Sequence, residues 1–191
     1  MTLVCKYIEA GTTPSCDSKL YGGVEDALYL INREDIATIT RNVTNPQIIE
    51  AITLLSGKVA YKFTGKNNSS NTRFEMVKKT YDRFYKHFVD FLVFDISPAG
   101  FKLIEQLAEA DLVAIVINKY KGTDGSPAIK IYGLDQGLRA DTIAQNMTDD
   151  NEGAIPVTLP SDDKELEPHA PSALFKTDYA TSLALITSLL A

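Results

Sequence analysis

Apolar and polar positions alternate with a period of two along much of this chain, and the period lengthens toward 3.6 only in a few places. Residues 27–32 (ALYLIN) and 36–40 (IATIT) are short apolar runs that predict strands. In KVAYKFTG, Val59, Tyr61 and Phe63 alternate with small or charged neighbours, as in a half-buried strand. KNNSSN then reads as a turn and RFEMVKKT as a return, so residues 58–80 predict a hairpin with a polar loop. Residues 48–55 (IIEAITLL) fit a short helix or a strand equally well. Between residues 81 and 94 two periods compete. Tyr81, Phe84, Tyr85, Phe88 and Leu92 have helical spacing, whereas Val89, Phe91 and Val93 against Asp90 and Asp95 alternate; the aromatic and β-branched content favours a strand.

Ser97 and Pro98 form a helix start, a hydroxyl to cap open N–H groups followed by proline at the first helical position. Phe101, Ile104, Leu107 and Ala108 then recur on one helical face, which predicts a helix lying against a sheet. LVAIVINKY is a continuous apolar run, β-branched enough to be a strand covered on both faces. With KGTDGSP as turn and AIKIYGL as partner, residues 112–134 predict a hairpin. AIPVTLP contains Pro156 and Pro160, which donate no ladder hydrogen bond and point to an edge or exposed strand. SDDKELEPHAPS reads as a surface loop. DYATSLALITSLLA places Leu183, Ile186, Leu189 and Leu190 at helical spacings, as an amphipathic helix or terminal strand docked on the body or on a neighbouring subunit. The expectation is one mainly β (α+β) domain over residues 1–191, with an N-terminal arm at 1–23 and a C-terminal extension at 161–191.

Charge narrows the partners. Lys and Arg number 19 against 25 Asp and Glu, a formal net charge of −6, which disfavours a nonspecific grip on nucleic-acid phosphates. A surface that DNA must pass without sticking would also be acidic. Cys5 and Cys16, the only cysteines, are too few for a structural zinc site and read as reduced thiols, although a disulfide closing a short arm is geometrically possible. The first residues lack the apolar core of a signal peptide, and no run approaches bilayer-spanning length; synthesis and assembly in the cytoplasm, without a membrane anchor, are expected.

No constellation of reactive residues emerges. His87 sits in the aromatic run and His169 in the proline-bearing loop, neither spaced to share a ligand or base with a second group. Asp149, Asp150 and Glu152 beside Asn151 and Gly153 lack the alternating pattern of a calcium loop and read as a solvated turn. Gly122, Gly125, Gly133 and Gly137 do not build a phosphate-binding fingerprint, and Ser56 and Ser126 lack a nucleophile-elbow setting. Residues 128–168 form a strand, a glycine-punctuated polar connection and a second strand, with no Cys or His to supply a nucleophile or base. Catalytic, cofactor-binding and metal-ligating residues are therefore assigned as none, and the chain is read as a non-enzyme. An enzyme or ligand-binder reading would have to rest on His87 and Cys16.

The order of elements resembles that of the tail tube proteins of tailed bacteriophages, in particular those of phages of Bacteroidota. It comprises a glycine-punctuated arm, YKFTGKNNSSNTRFEMV, the aromatic strand YDRFYKHFVDFLVFDIS, the helix SPAGFKLIEQLAEAD, the strand LVAIVINKY, then IYGLDQGL with NEGAIPVTL. The likeness covers most of Gly22 to Leu166 and consists of strand and turn patterns rather than invariant letters. It implies a β-sandwich or barrel of antiparallel strands flanked by one α-helix, with extended arm and loops. It also implies six copies in a ring, with rings stacked into a tube that conducts phage DNA without binding it specifically. KNNSSN, the connection from Asp135 to Gly153 and both termini would bridge rings, and lumenal carboxylates would repel phosphates. Other tail or neck proteins would be partners, and the tail of the virion the final location. The two cysteines and the long aromatic run around His87 depart from this pattern and leave room for another virion protein, such as a capsid-decorating, head-completion or tail-terminator protein.

Overall fold

The computed structural model describes residues 11–12, 19–66, 68–147 and 152–190. Cys5, Cys16, most of the expected arm, and Asp149 and Asp150 of the acidic turn lie outside the described residues. Among these residues eleven strands and two α-helices follow in chain order: β1 (Val24–Asn32), β2 (Ile36–Arg41), β3 (Ile48–Leu54), β4 (Tyr61–Thr64), β5 (Asn71–Lys78), β6 (Arg83–Val93), α1 (Pro98–Glu109), β7 (Leu112–Asn118), β8 (Ile129–Tyr132), β9 (Thr142–Ile143), β10 (Ile155–Pro160), β11 (Ser172–Leu174) and α2 (Tyr179–Leu189). The fold is mainly β, as the alternation predicts.

The strands form two open sheets. The larger has the order β2-β3-β11-β8-β7-β1-β4 and the smaller β5-β6-β10-β9. Among the described residues neither sheet closes into a barrel, and the β3–β11 pair is parallel while the other ladders are antiparallel. β7 shows why the chain stacks in layers: Leu112, Ala114 and Val116 pack between the two sheets, whereas Val113, Ile115 and Ile117 face a second core beneath α2. A strand apolar on both faces is stable only when both are covered. The inter-sheet core is completed by Val89, Phe91 and Val93 of β6, by Ile155, Val157 and Leu159 of β10, and by Leu107 of α1.

Ser97 caps α1, its hydroxyl accepting from the Gly100 amide at 3.2 Å. The expected C-terminal helix is α2, capped by Asp178 and docked on the large sheet through Ile186 and Leu189. The 112–134 hairpin is β7–β8, and the ambiguous segments 48–55 and 81–94 are strands.

Four expectations are corrected. Residues 58–80 do not form a hairpin: β4 pairs with β1 in the large sheet, and β5 pairs with β6 in the small one. Residues 161–191 are no peripheral extension, because β11 lies between β3 and β8 inside the large sheet. Nor is SDDKELEPHAPS wholly a surface loop, since Ser161, Leu166, Glu167 and Ser172 are buried.

The edge or exposed strand expected from Pro156 and Pro160 is instead an interior one: β10 lies between β6 and β9, and Pro160 is buried. Carbonyls of Pro156, Thr158 and Pro160 accept from Ala144, Asp141 and Arg139 on the β9 side, where prolines have no N–H to offer. The residues between them, Ile155, Val157 and Leu159, face inward and lie opposite Val93, Phe91 and Val89 of β6.

Candidate functional site

The features open to a partner are strand edges and the apolar side chains beside them. Among the described residues β5 is the terminal strand of the small sheet and pairs with β6 alone. Alternation puts Phe74 and Met76 on the face shared with His87 and Tyr85, yet they lie beyond the cover of the large sheet and are 51% and 55% exposed. Tyr81, in the turn that joins β5 to β6, is exposed as well. On the opposite face, Arg73 is bound to Asp90 at 2.7 Å and lies over the Phe88 ring, and Lys86 pairs with Asp163. That face of β5 and β6 carries Arg73 and Lys86 against Glu75 and Asp90, so the acidic excess of the chain does not reside there.

The second open feature lies at the far edge of the large sheet. Among the described residues β4 pairs with β1 alone, Ala60 just before it donates to the Leu189 carbonyl at the end of α2, and Tyr61 and Phe63 face a groove whose other wall is Leu103 of α1. Two adjoining cavities of about 300 and 600 Å³ share these three residues. Phe63 meets Phe91 edge-on at 5.5 Å and Lys66 lies over Phe94, which fixes the groove floor against the end of β6.

The turn at Gly133–Leu138 holds the two sheets together. Glu167 hydrogen-bonds through its main chain to Tyr85 of β6 in both directions, at 2.8 and 3.0 Å. Its carboxylate accepts from the amides of Asp135, Gln136 and Gly137 at 3.1, 2.8 and 3.2 Å. A concavity of backbone N–H groups that could take an anion is thus filled by the chain's own carboxylate. Burial pushes the Glu167 carboxyl above the ordinary range, and the three amides oppose that rise.

His87 works from the other side of the same turn. Its Nδ1 accepts from the Gly133 amide at 3.1 Å, so Nε2 carries the proton and donates to the His169 carbonyl at 3.0 Å. The ring also stands edge-on to Tyr132, whose hydroxyl bonds to Thr72 of β5. Burial lowers the His87 pKa to about 4, with the His169 carbonyl and Asp135 pulling weakly the other way. Around the turn, Arg41 binds Asp135 at 2.8 Å, Arg33 donates to the Asp135 carbonyl, and Arg33 and Arg139 flank Asp111 at 3.6 and 3.8 Å.

The sequence-assigned residues therefore divide. His87 and His169 come together, but through a ring and a main-chain carbonyl rather than as two ligands. The KNNSSN loop is tied down: the Asn68 amide donates to Asp26, and the Lys66 amide donates to the Ser69 hydroxyl. Glu152 is exposed in a left-handed turn, with φ of 50°. Glu167 and the Phe74–Met76 pair were not singled out by sequence. The matching parity of Phe74 and Met76 with Tyr61 and Phe63 is a signal available in the letters, whereas nothing local marks Glu167. Among the described residues no group of three or more His, Cys, Asp or Glu could hold a metal ion, and no helix is long and apolar enough to cross a membrane.

No protein-family model, no curated protein and no solved structure matches the chain.

Proposed function

We propose that this chain is the subunit of a bacteriophage tail tube, six copies closing into a ring and rings stacking into a conduit for DNA. The observation that carries this reading is the β5 edge: an eight-residue strand unpaired on one side among the described residues, with Phe74 and Met76 more than half exposed beside it. An edge of that length bearing apolar side chains is a template for another chain, and self-association is the means by which a structural subunit covers it. The number six and the stacking come from the likeness in element order. The formal charge of −6 supports a conduit rather than a nucleic-acid binder, because carboxylates near a duplex weaken phosphate contacts and let it slide.

A structural role is further supported by where two buried titratable groups point. His87 and Glu167 are both engaged by main-chain partners and join the sheets to each other. Assembly would take place in the host cytoplasm, and the finished tube would belong to the virion tail, in contact with other tail or neck proteins.

Mass measured by light scattering over a wide concentration range tests the reading. Each chain is 21.0 kDa, and the expected outcome is a concentration-dependent rise to the mass of a ring and its multiples. A mass of one chain at every concentration contradicts it.

A further inference from the structure

The open edge of the large sheet and that of the small sheet are complementary in detail. β4 presents Tyr61-Lys62-Phe63 and β5 presents Phe74-Glu75-Met76, in each case two apolar residues on one face separated by a charge on the other. The charges are opposite. Tyr61 and Phe63 face the inter-sheet side, the side of Leu28 and Leu30, and Phe74 and Met76 occupy the corresponding side of the small sheet. Among the described residues nothing fills the apolar groove beside β4, and nothing covers the two large apolar side chains beside β5.

We propose that β4 of one copy pairs edge to edge with β5 of a second copy, seating Phe74 and Met76 of the incoming strand between β4 and α1. Strand addition of this kind draws its strength from main-chain hydrogen bonds and its selectivity from pockets for alternate side chains. With Lys62 opposite Glu75, Tyr61 and Phe63 lie opposite Phe74 and Met76. The ladders select a parallel pair: Lys62 turns its N–H and C=O to the open edge while Glu75 turns its own toward β6, and such residues lie directly opposite each other only when the strands run the same way. Lys62 and Glu75 are exposed, and the existing Arg73–Glu75 contact of 4.0 Å is long enough to yield to a closer partner.

The other free edges match less well. β9 is two residues long, and β2 offers Ala37, Thr38 and Thr40 as its exposed side chains. Because the two halves of the contact lie on different parts of the chain, it is heterologous. Each copy can both give and receive, and the chain of contacts closes when the rotation per copy permits. This inference deepens the self-assembly reading and rests on it for the second copy.

Charge reversal and cross-linking test it. Lys62→Glu or Glu75→Lys alone places like charges opposite each other and should raise the concentration for half-assembly by roughly fivefold per contact. The double variant should restore assembly. In a background of Cys5→Ser and Cys16→Ser, a Lys62→Cys chain mixed with a Glu75→Cys chain should form a disulfide-linked dimer, because side chains directly opposite lie about 5 Å apart. A Glu75→Cys chain mixed with a Thr142→Cys chain should not. The proposal is overturned if Glu75→Cys links to Thr142→Cys instead, or if the single reversals leave assembly unchanged. Wild-type protein that assembles without the Lys62–Glu75 cross-link overturns this contact and leaves the tube reading standing. Cross-linked open filaments would do the reverse, and a wild-type monomer at all concentrations overturns both.

Discussion

His87 shows how one side chain can set the acid tolerance of the fold. Its folded-state pKa, about 4, lies below the ordinary value of 6.5, because burial penalises the charged ring; the neutral ring accepts the Gly133 amide proton. The unfolded chain therefore binds a proton at a pH where the folded chain does not. The stabilisation is complete above the ordinary histidine value and is lost as pH falls from 6.5 toward about 4, amounting to roughly 3 kcal/mol over that interval. Glu167 acts with the opposite sign: its raised pKa contributes stability at low pH that is lost as pH rises through the folded value, which partly masks the histidine effect between the two. Comparison with a His87→Gln variant removes that ambiguity. Urea unfolding should show the variant less stable at pH 7, with a shallower loss between pH 6.5 and 4.5; parallel pH slopes for the two proteins would contradict the assignment.

Among the elements, those set by short-range pattern were legible and those set by long-range pairing were not. The α1 start at Ser97-Pro98 and the fully apolar β7 need only their own residues to be recognised, and both stand where the pattern puts them. The β4 and β5 segments each alternate correctly, but alternation does not specify a partner. KNNSSN links two sheets instead of turning one hairpin, and its tether at Asp26 lies 42 residues from Asn68. Polar composition likewise reads as exposure, so a buried Glu167 whose partners are backbone amides about thirty residues away left no local trace. β11, three residues long, was too short for any period to register. The Gly133–Leu138 turn makes this dependence on distant groups testable. Gly137 has a φ of 91°, and a Cβ there would stand 1.8 Å from Asp111 Oδ1. Gly137→Ala should lower unfolding stability by at least about 2 kcal/mol, from backbone strain together with displacement of Asp111 and its arginines. An unchanged urea midpoint would show that the turn is not a constraint.

At the scale of the whole molecule, two open sheets stacked about a packed core, the larger covered by α2, leave four strand edges among the described residues: β2 and β4 on one sheet, β5 and β9 on the other. β9 is short and β10 behind it carries prolines, devices that discourage unplanned pairing. β5 is long, and the apolar residues beside it are left uncovered, which is an aggregation hazard for a solitary protein and a joint for an assembling one. Under the proposed function this surface serves closed assembly. Electron microscopy of the purified full-length protein tests it most directly. Rings of six-fold symmetry around an open channel, alone or stacked into tubes, are the predicted result; dispersed single chains at high concentration, or aggregates without rotational symmetry, would contradict it.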